Sequence, residues 1–279
     1  MRRFAVLINP TNKLIFKKVV DAIRSLKSKT EFFSIRESER AFFPSLEKGE
    51  TVDCLLVFGG DGTVLHSCFY SLKFNIPILG INMGDMGFLT EITLDKLERA
   101  LAQIEQKRYS IQKRVMLNAQ VKRDGKCAFA GDALNDIVIF RGQTEKMIGI
   151  DFFNNKRFVL STKSDGILIA TPTGSTGYSL SAGGPILSPT MEAVAVVPLH
   201  PHALTARPMI FSFDDVFQFN LLTSYENTVL QIDGENVLYI KNNDIIRIKK
   251  AKSRVCFVKL HNKTFFKVLR KKLHMGRRK

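Results

Sequence analysis

The sequence predicts an α/β plus all-β chain: an N-terminal domain built on a parallel sheet, a C-terminal β-sandwich, and a final helix that returns to the first domain. Three observations carry this reading. Short β-rich apolar runs alternate with helical patterns over the first hundred residues, helical periodicity almost disappears from about Ile111, and it reappears after the last apolar strand.

Taken in order, Phe4 to Ile8 reads as a strand, Leu14 to Leu26 as a helix, and Phe32 to Ile35 and Cys54 to Phe58 as strands. Ile76 to Ile81 is another strand and Leu94 to Gln106 another helix. Strands separated by helical segments need crossover connections, which gives a parallel, Rossmann-like sheet with helices on its faces. In the second part, Val115 to Lys122 followed by Arg123-Asp124-Gly125-Lys126 reads as a strand entering a hairpin. Asn154-Asn155, Asp233-Gly234 and Asn242-Asn243-Asp244 mark further turns. The boundary is expected near Arg108 to Ser110, giving domains at 1–108 and 109–260, with Val255 to Leu260 as the last strand of the sandwich. Beyond it, Phe265, Phe266, Leu269 and Leu273 share one helix face, and such a face needs a surface to cover. Residues 261–279 are therefore expected to cross back onto the N-terminal domain.

The net charge is +16, a balance that suits nucleic acid, an anionic membrane surface or small polyanionic substrates. Much of the excess lies in Lys267, Arg270, Lys271, Lys272, Arg277, Arg278 and Lys279, without the aromatic interleaving that serves base stacking. These residues read as a solvated helix face and a frayed tail. The apolar run after Arg2-Arg3 ends at Asn9-Pro10, too short for a signal core or a membrane span. A cytoplasmic protein with no membrane partner and no specific nucleic-acid partner is expected. Cys54, Cys68, Cys127 and Cys256 lack CxxC spacing and are expected as small buried hydrophobes. His200 and His202 alternate as a metal pair would, but no third ligand accompanies them, and no protein metal site is expected.

Gly59-Gly60-Asp61-Gly62-Thr63 follows a buried strand directly and precedes a helix, the place where ligands bind in open α/β sheets. The glycines let the backbone approach a phosphate, and the helix start adds amide donors. A carboxylate beside phosphates is repelled unless a metal lies between them or it has a proton to remove, so Asp61 is the candidate general base. No GxxxxGK[ST] loop occurs, and a triphosphate must be held in another way. Asn82-Met83-Gly84-Asp85-Met86-Gly87-Phe88-Leu89 also follows a strand, and two glycine-rich loops on neighbouring strand ends point to one crevice. The block Thr171 to Ile186 is dense in hydroxyls and glycines, which offers uncharged donors to sugar and phosphate oxygens, with Tyr178 available to stack or hydrogen-bond.

Together with Pro198 to Pro208, these segments resemble the NAD kinase family, in order, over residues 4 to 273. The Gly59 to Thr63 loop alone is shared with diacylglycerol kinases and, in a related form, with phosphofructokinases; the Thr171 block singles out NAD kinases. The resemblance implies phosphoryl transfer from ATP, another triphosphate or polyphosphate to the 2′-hydroxyl of the adenosine ribose of NAD. Magnesium is expected to arrive with the donor, and the resemblance implies a homodimer or homotetramer through the β domain. The resemblance makes Asp61 the base, with Gly59, Gly60, Gly62 and Thr63 as the phosphate loop and Gly62 beside the dinucleotide. Asn135 and Asp136 match the pair that holds ribose hydroxyls. Asp165, Thr173 and the stretch Thr176, Gly177, Tyr178, Ser179, Leu180 and Ser181 match the contacts to the adenine and nicotinamide ends. His66, Lys146 and Lys163 fall where the family places basic or polar residues near phosphates. Asp136 stands where many members have Glu, Glu235 where many have Gln, and Asp85-Met86 where many have more apolar residues. Two other readings remain open at this point: a lipid kinase, which would need a hydrophobic anchor, and a non-catalytic NAD-binding sensor, which would have no use for Asp61.

Overall fold

The computed structural model describes residues 3–9, 13–26, 30–47, 50–84, 87–223, 225–260 and 264–276. Asp85 and Met86, together with Arg277, Arg278 and Lys279 of the basic tail, lie outside the described residues. The chain forms two compact units, one of residues 1–113 with 255–279 and one of residues 114–254.

The first unit begins with β1 (Arg3–Ile8), α1 (Lys13–Arg24), β2 (Glu31–Ser34), β3 (Cys54–Phe58), α2 (Asp61–Phe74) and β4 (Ile78–Asn82). The short β5 (Ile92–Thr93), α3 (Leu97–Glu105) and β6 (Ser110–Arg114) follow. Strands β3 and β4 are buried at every position, as expected of parallel strands covered on both faces. Val19, Val20 and Ile23 of α1 and Leu97, Ala100, Leu101 and Ile104 of α3 recur at helical spacing and pack on Phe4, Val6, Leu56, Phe58 and Leu79. Helix α2 ends at Asn75, which takes the left-handed conformation (φ 52°) and turns its amide back to the Leu72 carbonyl.

The second unit contains β7 (Leu117–Arg123), β8 (Lys126–Ala133), β9 (Asp136–Phe140), β10 (Ile148–Asn154), β11 (Arg157–Ser164) and β12 (Gly166–Ala170). After the four-residue α4 (Tyr178–Ser181) come β13 (Ala193–Leu199), β14 (Met209–Ser212), β15 (Phe217–Thr223), β16 (Val229–Ile232), β17 (Glu235–Tyr239) and β18 (Ile245–Lys250). They form two six-stranded sheets, in the orders β11-β10-β15-β18-β7-β8 and β14-β13-β12-β9-β16-β17. Leu117, Ala119 and Val121 from one sheet and Ile137, Ile139, Ile167 and Ile169 from the other belong to one core, which makes this unit a sandwich. Asp124 and Gly125 (φ 50° and 76°), like Asp233 and Gly234 (φ 51° and 87°), adopt the paired positive φ of two-residue hairpins, which Asp-Gly favours.

The chain then returns as β19 (Val255–Lys259) and α5 (Phe265–Leu273). Here the structure departs from the expected boundaries at 108 and 260. Strand β19 enters the first unit's sheet, in the order β2-β1-β3-β4-β19-β6, parallel to β4 with Phe257 opposite Ile78. Its run Val255-Cys256-Phe257-Val258 suits a strand covered on both faces. Helix α5 belongs to the N-terminal unit, as the sequence predicts. The Thr264 hydroxyl caps it by accepting the Lys267 amide, and Val268 and Leu269 are buried. Phe266, expected on the packed face, is exposed instead, because the covered stripe runs through Phe265, Val268 and Leu269. The cysteine expectation needs a similar correction. Cys54 and Cys68 are buried, but Cys127 is exposed on the edge strand β8 and Cys256 is only partly covered. No helix among the described residues is long and apolar enough to cross a membrane.

Candidate functional site

In the first unit, β3 ends at Phe58 and α2 begins at Asp61, so Gly59 and Gly60 are the whole connection. The Gly59 amide donates to the Ile81 carbonyl at 3.0 Å, tying the loop to the neighbouring strand. A Cβ at position 59 would stand 2.4 Å from Thr63 Oγ1, whereas Gly60 and Gly62 face open space and leave their backbone approachable.

Asp61 is held by the second glycine loop. Its Oδ2 accepts the Phe88 amide at 2.8 Å and its Oδ1 accepts the Leu89 amide at 2.9 Å. A Cβ at Gly87 would fall 1.9 Å from Asp61 Oδ1, so glycine is what lets that loop close on the acid. The loop is itself braced: Asn82 Oδ1 accepts the Gly84 amide at 2.7 Å and Thr90 Oγ1 accepts the Gly87 amide at 3.0 Å. The two glycine segments therefore build one local site, as the sequence suggests. Lys272 of α5 also reaches it, with Nζ 3.7 Å from Asp61 Oδ2 and 5.3 Å from the centre of the Phe88 ring. His66 lies one turn after Gly62 on the exposed face of α2.

In the second unit the organising residue is Asp233, which the sequence marks only as part of a turn. Its Oδ2 accepts the Leu134 amide at 2.9 Å, and its Oδ1 accepts the amides of Asn135 and Asp136 at 2.7 and 3.1 Å. The Thr171 block is fastened to the same bend. Thr171 Oγ1 donates to the Leu134 carbonyl at 2.5 Å and accepts the Thr173 and Gly174 amides, while the Thr171 amide donates to the Asn135 carbonyl at 2.9 Å. A Cβ at Gly174 would lie 2.1 Å from the Asn135 oxygen. Asn135, Asp136 and Thr173 are thus brought together by bonds to the Asp233 carboxylate and the Thr171 hydroxyl, with glycine at 174 leaving room for the Asn135 carbonyl.

The carboxyl of Asp136, which is 5% exposed, is pushed up to about 7, first by burial and then by the charge of Asp233. The Asp233 carboxyl is also raised by burial, against three amide donors that lower it, with Glu235 adding repulsion. Burial, Asp136 and Asp165, in that order, raise the Tyr178 phenol, which places Tyr178 within the field of both acids. Asp165 accepts Arg141 Nε at 2.7 Å and faces His200 Nδ1 at 3.1 Å, so His200 is engaged by a carboxylate. Gly177, Tyr178 and Ser181 are exposed, Thr176 and Leu180 partly so, and Ser179 is fully buried against Gly184. Glu235 is exposed at the start of the edge strand β17. Lys146 lies over the Tyr225 ring at 5.8 Å, and Lys163 is exposed on the edge strand β11.

The raised Asp136 carboxyl makes stability depend on pH. The unfolded group titrates near pH 4, so from about pH 4 to 7 the native state keeps a proton that the unfolded state has released. Stability should fall as pH rises through that window and level off above it, by roughly 4 kcal/mol in all. Asp136→Asn is expected to flatten this slope in thermal melts taken between pH 5 and 8; parallel slopes for the two proteins would mean that Asp136 is ionised in the folded state.

A family model described as the ATP-NAD kinase N-terminal domain matches residues 15–109, and one described as the ATP-NAD kinase C-terminal domain matches residues 134–260. An NAD kinase of Lachnoclostridium phytofermentans is 40% identical over 79% of this chain and 80% of its own length. The crystal structure of yeast NADH kinase complexed with NADH is similar with a TM-score of 0.86, over 100% of this chain and 89% of that one, at 22% identity, a likeness of fold alone. An NAD kinase from Archaeoglobus fulgidus in complex with ATP is similar with a TM-score of 0.72 and 26% identity, over 98% of this chain and 100% of that one.

Proposed function

The chain belongs to the NAD kinase family, and from that premise we propose how its residues move the terminal phosphoryl group of ATP onto the 2′-hydroxyl of the adenosine ribose of NAD. The observation that carries the proposal is Asp61, fixed by two amides at the first turn of α2 between two glycine-rich loops. Asp61 takes the proton of the 2′-hydroxyl. The ribose oxygen then bonds to the terminal phosphorus, the bond from that phosphorus to the bridging oxygen breaks, and ADP leaves. Phosphoryl transfer asks the protein mainly for positioning and charge neutralisation, so a well-placed base and a loop of open backbone amides are the parts it needs. Gly59, Gly60, Gly62 and Thr63 hold the phosphates, and magnesium comes as a complex with the triphosphate.

In the β-rich unit, Asn135 and Asp136 hold ribose hydroxyls of the dinucleotide. A carboxyl near neutrality can donate as well as accept a hydrogen bond, which suits Asp136 to a hydroxyl partner. Asp165, Thr173 and the exposed part of the stretch from Thr176 to Ser181 contact the bases, Tyr178 by stacking or hydrogen bonding. Ser179, being buried, supports that stretch from beneath. His66, Lys146 and Lys163 serve as outer polar groups toward phosphate, and Glu235 adds negative charge beside Asp233. A homodimer or homotetramer through the β-rich unit is supported by the exposed apolar side chains of Phe158, Ile210 and Leu222. The proposed location is the cytoplasm, with neither membrane nor nucleic acid as a partner.

The test is a coupled assay of purified protein with NAD, ATP and Mg²⁺, reading NADP through an NADP-specific dehydrogenase. NADP formation is the expected result. Measurable NAD binding without product from ATP, other triphosphates or polyphosphate would replace this reading with that of a sensor.

A further inference from the structure

We infer that Lys272 is a further catalytic residue: the C-terminal helix carries its ammonium to the Gly59–Thr63 loop, where it binds the phosphoryl group being transferred. The inference rests on the reading that this loop holds a triphosphate.

The loop from Gly59 to Leu65 contains one carboxylate and no cation, and the chain has no GxxxxGK[ST] lysine. A polyanion approaching Asp61 would meet like charge unless a positive group stands close by. Lys272 stands there, 211 positions along the chain, with Nζ 3.7 Å from Asp61 Oδ2. Its placement follows from the packing of α5. Phe265, Val268 and Lys272 lie at i, i+3 and i+7, so the Lys272 stem leaves α5 on the side that packs, although its side chain, like those of Arg270 and Lys271, is exposed. Phe265 meets the Phe88 ring at 6.0 Å, and Nζ of Lys272 sits over that same ring. The amide of Phe88 is one of the two that hold Asp61. A single residue therefore orients the base and supports the lysine.

A role in stability accounts poorly for this arrangement. The pair is long, and the Lys272 side chain is 38% exposed, the setting in which ion pairs contribute little. An ammonium has three donors on a flexible stem, so it can face Asp61 and turn to phosphate oxygens when a triphosphate binds.

The experiment is calorimetric titration of the full chain with MgATP in the absence of NAD, alongside steady-state kinetics, for the native chain, Lys272→Met, Lys272→Arg and the neighbouring Lys271→Met. Loss of a charge-assisted contact corresponds to about 10- to 100-fold. Lys272→Met is expected to weaken MgATP binding and raise KM for ATP by that factor, with lower kcat, unchanged KM for NAD and an unchanged melting temperature. Lys272→Arg should recover much of the loss, and Lys271→Met should match the native chain. Equal ATP affinity and kcat in Lys272→Met would overturn the inference, as would an equal loss in Lys271→Met, which would indicate general surface charge. A native chain that makes NADP while Lys272→Met is unimpaired refutes the lysine alone; a native chain that binds no MgATP refutes the loop reading with it. Lys272→Gln, titrated in parallel, gives the same comparison if the Met variant melts early.

Discussion

Asp61→Asn is expected to lose about 10²- to 10⁴-fold in kcat, the range of general-base assistance, and to keep its fold. The amide has nearly the shape of the carboxylate but cannot take the proton. It also accepts poorly at one of its two positions, since the Phe88 and Leu89 amides each point at an oxygen and the side-chain NH₂ must face one of them. That mismatch, with the loss of a negative charge at the start of α2, should lower stability by about 1–2 kcal/mol. The measurement is kcat from the coupled assay beside a thermal melt. Near-native turnover would remove Asp61 from the role of base, and a collapsed melt would show that its main work is to hold the second glycine loop.

Asp233→Ala should have the largest effect on stability. Three consecutive amides, of Leu134, Asn135 and Asp136, would lose their acceptor, at about 1–3 kcal/mol for each that stays buried and unpaired. Removing the charge relieves Asp136, which offsets part of this, and a net loss of roughly 3 kcal/mol or a fall of about 6–12 °C in melting temperature is expected. Asp233→Asn should fall between, because one oxygen can keep the Asn135 and Asp136 amides while its NH₂ opposes that of Leu134. NAD affinity should drop with both, since the same bend carries Asn135 and Asp136. A native-like melt for the alanine variant would mean that water replaces the carboxylate, and the bend is held by Thr171 alone.

Much of this was readable from residue order because the signals are local. A buried strand followed by Gly59-Gly60-Asp61 forces a two-residue turn into a helix, and paired Asp-Gly at 124–125 and 233–234 forces hairpins. What escaped was non-local. Val255 to Lys259 is a short apolar run, and nothing within five residues says which of the three sheets will take it. Asp233 has the composition of any turn acid, yet its value lies in amides about a hundred positions earlier. Lys272 is one cation among seven in a basic segment; only its approach to Asp61 and the Phe88 ring distinguishes it, and that needs the packing of α5 to be known. Ser179 shows the reverse error, a hydroxyl in a ligand-like segment that the fold turns inward.

The place of β19 between β4 and β6 bears on how the protein comes into being. A ribosome delivers the first four parallel strands early, but the strand that bridges them to β6 emerges only after all of residues 114–254. At synthesis rates of about 5–20 residues per second, the nascent sheet waits roughly 7–30 s with the Ile78 end of β4, which β5 does not cover, unpaired. During that interval the growing chain exposes a template for pairing with another chain, so the newborn protein should lean on chaperones until Val255 to Lys259 is made. The same insertion closes the site last: α5, which carries Lys272, follows the bridging strand, and no shortened translation product could assemble the complete Gly59–Thr63 loop environment.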